Sequence, residues 1–185
     1  KEEFKLGGVL ILFNNLLQSL FKSQILTIGT VLLLLLFMFL ILFRSIVISI
    51  IALFPNIMSI SLVLGFMGWV SIPLDMMTIT IAAISMGIAV DNTIHYIYRF
   101  RSEVFKDFNY VKAMQRTHKS IGYAMYYTSI TIIVGFSILI FSNFIPSIYF
   151  GLLTGLAMFF ALLASLTLLP QLLIVFKPYG IVRKN

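Results

Sequence analysis

Apolar residues run along this chain in long, nearly unbroken stretches separated by short polar intervals. Crossing the hydrocarbon core of a bilayer takes about 20 apolar helical residues, and five stretches reach that length: 25–43, 47–70, 73–98, 121–141 and 149–176. Barrel strands would be shorter and would alternate in polarity, so the pattern predicts an all-α membrane protein with five transmembrane helices. Ahead of the first span, residues 9–22 repeat differently. Asn14, Asn15, Gln18, Ser19 and Lys22 form one stripe, and Leu12, Phe13, Leu16, Leu17, Leu20 and Phe21 form the other. Such a helix either lies in the membrane interface or packs on an extramembrane domain. The expected organisation is an outer-face segment over 1–24, a transmembrane domain over 25–176 with an amphipathic, solvated connector at 99–120, and a tail over 177–185.

The composition, 61% hydrophobic, 10% charged and free of cysteine, excludes disulfides and thiol chemistry and describes a chain solvated by lipid. A net charge of +7 does not point to nucleic acid, because the cations cluster at the ends of apolar runs; its partner is an anionic membrane surface. Arg44, the group Arg99, Arg101, Lys106, Lys112, Arg116 and Lys119, and the tail cations Lys177, Arg183 and Lys184 all fall on one side of the predicted topology. By the positive-inside rule that side is the cytoplasm, which puts the N-terminal end outside and the C-terminus inside in a multi-pass protein of the cytoplasmic (inner) membrane. The opening "KEEFK" lacks a methionine and the span count is odd, so the sequence reads as a piece of a longer polypeptide with at least one earlier span.

One segment breaks the apolar pattern with an ionisable group. In "GIAVDNTIHYIYRF", Asp91 lies fifteen residues after Met76, or roughly 22 Å along a helix axis at 1.5 Å per residue. A carboxyl at that depth costs about 2.5–3.5 kcal/mol and usually faces a bundle interior or a water-filled path. It is either a proton carrier or a buried aspartate in a fixed hydrogen bond. Ala83 and Gly87 precede it on the same face, where small residues let a second helix approach closely. His95, one turn later, is placed to relay a proton or to sit at the membrane boundary. Asn92 points about 100° away, as a hydrogen-bond partner. Thr128, Ser129 and Thr131 offer hydroxyls from the fourth span, either to this site or to their own helix carbonyls. Asp75, just after Pro73, reads as a helix cap, Pro55 and Asn56 as a kink in the second span, and "GLLTG" at 151–155 as a small-residue packing pattern. Catalytic residues, metal ligands and cofactors are not expected: His95 and His118 lack ligand spacing, and there is no nucleophile with a base or phosphate-binding glycine loop.

"FRS" at 43–45, "LFPNI" at 53–57, "IPLDMMT" at 72–78, "GIAVDNTIHYIYRFR" at 87–101, "YFGLLTGLAMFFAL" at 149–162 and "LLPQLL" at 168–173 occur in an order that resembles one half of a resistance-nodulation-division (RND) exporter, nearest the MMPL-like branch. The resemblance covers nearly the whole chain, and its most specific part surrounds Asp91. It implies that the five spans are helices two to six of such a half, a fold like the transmembrane domain of multidrug efflux transporters. The start is then the tail of an extracytoplasmic domain. It further implies a proton relay at Asp91, a second half on the same or another chain, a lipid or other hydrophobic substrate, and a periplasmic or outer-membrane partner. Many relatives carry a second acidic residue or a tyrosine after the aspartate, where this chain has Asn92. Two other expectations stand beside this one: a sterol-sensing-like lipid-binding module, and an accessory translocation subunit similar to SecD/SecF.

Overall fold

The computed structural model describes residues 9–72 and 76–180; the expected cap at Asp75, the start "KEEFKLGG" and the tail cations Arg183 and Lys184 lie outside them. Every regular element among the described residues is helical, and four stretches, Ile11–Phe43, Ile46–Trp69, Tyr110–Phe141 and Ile145–Phe176, are long and apolar enough to cross a membrane. Helix α1 runs over Val9–Phe43, α2 over Ile46–Trp69, α3 over Met76–Asp107, α4 over Tyr110–Thr117, α5 over Tyr123–Ser137, α6 over Ile145–Leu163 and α7 over Leu169–Phe176. A π-helical turn at His118–Gly122 joins α4 to α5, and a second at Ala164–Leu168 joins α6 to α7, so each pair forms one long, continuous rod.

Two boundaries differ from those expected. The amphipathic segment is not a separate helix but the first turns of α1, a single helix of 35 residues. No proline or glycine stands between Lys22 and Leu26 to break it. The connector is likewise not a helix of its own: α3 continues to Asp107, the chain turns at Phe108, whose φ of 49° is left-handed, and α4 begins after Asn109. Asn109 caps that helix, its Oδ1 accepting from the Lys112 N–H at 3.0 Å.

Helices α2, α3 and α6 form the centre, with α1 against α2 and α3 and with α5 against α6. At one end Phe39, Phe43, Ile48, Tyr96, Phe100, Tyr110, Leu169 and Leu173 pack into a buried cluster. At the other, Val63, Met67, Ile81, Leu153 and Ala157 do so, while Ile60, Ala82 and Met86 meet α1 between them. The described cation-bearing turns share the first end. Phe43, beside Arg44, has its ring 5.8 Å from that of Tyr98, and the Tyr110 hydroxyl accepts from the Tyr179 N–H at 3.0 Å and donates to the Gly180 carbonyl at 3.1 Å. The α3–α4 corner there is no solvated connector. Glu103, 1% exposed, is covered by Lys106 (2.7 Å), Arg116 (2.7 Å) and Arg99 (3.0 Å). Sequence spacing does not reveal this, because Arg116 comes back to Glu103 only after the turn at Phe108.

Candidate functional site

Helix α3 presents two opposite faces at the level of Asp91. On the inner face Asn92 and Thr93 are buried. Asn92 Nδ2 donates to Ser129 Oγ of α5 at 3.3 Å, and Thr93 Oγ1 accepts from Asn56 Nδ2 of α2 at 3.4 Å. Buried amides and hydroxyls in an apolar bundle are stable only when partnered, so these two bonds fix α3 between α2 and α5. Asn56 also donates to the Ala52 carbonyl at 2.9 Å, one turn back in its own helix.

The outer face carries the ionisable pair. Asp91 Oδ1 lies 3.3 Å from His95 Nε2, with side-chain exposures of 71% and 63%. Both are exposed, as is Gly87 one turn before Asp91. A Cβ placed on Gly87 would meet nothing within 4 Å, and Ala83, above it, is half-buried. The small-residue surface beside Asp91 is thus open.

The hydroxyls divide. Ser129 is buried and joined to Asn92. Thr128 and Thr131 bond to the carbonyls of Ala124 and Tyr127 in their own helix and are exposed. The structure therefore brings together Asp91 with His95, and separately Asn92 with Ser129; it does not join the two pairs. Thr93 and the Asn56 bridge are not singled out by the sequence reading. The available signal is a polar side chain in mid-span on each of two neighbouring helices.

The family model described as "MMPL family" matches residues 3–184. The chain belongs to the MMPL family. Protein MJ1562 of Methanocaldococcus jannaschii is 32% identical over 133 residues, which is 72% of this chain and 34% of that protein. The hopanoid transporter HpnN of Burkholderia multivorans is 33% identical over 112 residues, 58% of this chain and 12% of the relative. The apo-petrobactin exporter of Bacillus anthracis is 28% identical over 121 residues, 63% of this chain and 16% of the relative. The chain thus spans about a third of the first relative and less of the other two. The expected RND/MMPL-type membership and the all-helical membrane fold hold, and the open face of α3 belongs to an MMPL-type transmembrane unit.

Proposed function

We propose that this chain is the transmembrane part of one half of an RND-type exporter driven by the proton gradient, with Asp91 as the proton carrier and His95 as the next group toward the cation-rich end. The observation that carries the reading is the exposed Asp91–His95 pair on α3. A carboxyl at that depth is too costly to face lipid, so another protein surface or a water-lined seam must cover it. A second half packed over Gly87 and Asp91 supplies such a cover and makes Asp91 part of a central interface. Proton movement there is energetically sufficient: 100 mV is worth about 2.3 kcal/mol per charge, comparable to the cost of burying the carboxylate.

The reading extends to cargo and orientation. The substrate class is lipid or another amphiphile, supported by relatives that are named for a hopanoid and for apo-petrobactin. The cation-rich end, with Arg44, the α3–α4 corner and Lys177, faces the cytoplasm. The protein acts by moving substrate rather than by changing it, with membrane lipids around it and an extracytoplasmic partner beyond.

The test is Asp91→Asn in the intact protein, which keeps the shape and removes the titration. Transport should be almost abolished at normal expression and insertion. Transport at the wild-type rate across pH 6 to 8 would sink the relay.

A further inference from the structure

Away from the Asp91 face, one groove combines an apolar floor with cations that have no partner. Val47, Ile50, Ile51 and Phe54 of α2 face Leu172 and Phe176 of α7 across an open cavity of about 350 Å³, a volume within the range of small-molecule sites, about 300–1,000 Å³. No lining side chain offers a hydrogen bond, so the groove suits hydrocarbon. From Val47 to Phe54 it follows α2 for roughly 10 Å at 1.5 Å per residue. One leaflet of the bilayer core, half of about 30 Å, is deep enough to contain it.

The mouth of the groove is cationic. Arg44 stands three residues before Val47, and Lys177 directly follows Phe176. Both are exposed, and both take the left-handed backbone, with φ of 50° and 43°, at the ends of α1 and α7. Glycine adopts that conformation without strain. Each of these ends carries a long cationic side chain there instead. Neither side chain has an ion pair or hydrogen bond among the described residues. The carboxylates of this end, Glu103 and Asp107, are already held by Arg99, Lys106 and Arg116.

We propose that this groove binds an acyl chain of an anionic phospholipid in the leaflet at the cation-rich end, with Arg44 and Lys177 on the lipid phosphate. Any lipid supplies the hydrocarbon, and the cations select the headgroup. The Arg44 guanidinium suits two phosphate oxygens at once, and Lys177 adds a point charge. Phosphatidylglycerol offers its phosphate uncompensated, whereas phosphatidylcholine brings a cation of its own to the mouth. A further transmembrane helix is the poorer occupant. The side of a membrane that holds one helix's Lys and Arg holds its neighbour's too, so the mouth would meet like charge. The site needs neither Asp91 nor a transported substrate.

The experiment is native mass spectrometry of the intact protein in micelles, titrated with phosphatidylglycerol or phosphatidylcholine of identical acyl chains. Phosphatidylglycerol should bind on the order of tenfold tighter, as two cations beside one phosphate imply. Arg44→Gln combined with Lys177→Gln should remove that preference and leave phosphatidylcholine binding unchanged. Ile50→Trp, at an exposed lining position, fills the groove and should weaken both lipids. Inorganic phosphate at the same concentrations should not compete. Equal binding of the two lipids, a preference that survives the glutamines, or a loss of both lipids alike in that variant would each overturn the charge assignment. Competition by phosphate would show that the cations act without the groove, and Ile50→Trp without effect would show that protein rather than lipid fills it; either result ends the proposal.

Discussion

Asn92 Nδ2 reaches Ser129 Oγ at 3.3 Å inside the bundle, while Asp91, its neighbour in the chain, points out of it. A turn of about 100° per residue separates a side chain that holds helices together from one free to meet something else. Replacing Asn92 with alanine leaves Ser129 buried without its partner and should cost about 1–2 kcal/mol. Asp91→Ala breaks no contact between helices and removes a carboxyl from apolar surroundings, so it should not destabilise this chain. Unfolding of residues 1–185 in mixed micelles measures both, and the opposite ranking would contradict the described faces of α3.

Gly151 and Gly155 frame the "GLLTG" pattern, yet only one of them is tight. A Cβ on Gly151 would lie 2.5 Å from the Phe136 carbonyl oxygen and 2.8 Å from Leu139 Cβ, whereas the nearest atom to one on Gly155 is Ile133 Cγ2 at 3.9 Å. Gly151→Ala should push α5 from α6 at a cost of about 1–3 kcal/mol, and Gly155→Ala should be nearly neutral. The same unfolding titration reads both, and equal losses would show that the two helices are not in backbone contact at Gly151.

The α3–α4 corner should loosen in acid. The bond from Lys106 holds the Glu103 carboxyl below its usual range, with Arg116 and Arg99 adding to it, and Arg116 holds Asp107 down to about 2. A carboxylate depressed by folding stabilises the fold above its unfolded value and stops doing so as pH falls through the folded one. The corner should therefore keep its protection at pH 5 and lose it on the way toward pH 2. Amide exchange across residues 103–117 follows this, and Glu103→Gln should raise the exchange rate already at pH 7. Unchanged protection in the variant would mean that the ion pairs do not hold the corner.

Orientation is testable in a chain without native cysteine. Asn143 and Ser102 are both exposed, at opposite ends of the bundle. With Asn143→Cys, an impermeant thiol reagent added to intact cells should label the protein, and with Ser102→Cys it should not. The reverse result places the cation-rich end outside.

Much of this was legible because burial in lipid imposes a simple rule. Four of the five expected spans follow from the length of apolar runs, and Asp91 stands out because it puts a carboxylate into the apolar run of the third. Asn92 was readable as a hydrogen-bonding residue, since its angular offset from Asp91 is a property of any helix. The long-range pairings were not. Glu103 meets Arg116 only because the chain reverses at Phe108, and Asn56 meets Thr93 only because α2 and α3 pack in one register. The continuity of α1 was missed for a different reason: a change from amphipathic to apolar periodicity changes what surrounds a helix without bending it. The π-turns have no periodic signature, although Pro170 stands just past one of them.

That continuity gives α1 a mechanical character. Its 35 residues make a strut about 52 Å long, packed by Ile28, Val31, Leu32 and Leu35 against Ile60, Ala82 and Met86. A stiff rod gripped along part of its length works as a lever: a five-degree tilt swings Val9 through roughly 4–5 Å relative to Phe43. Sub-ångström adjustments among the side chains around Met86, less than two turns from Asp91, thus become displacements several times larger at the far end, with no hinge needed between them.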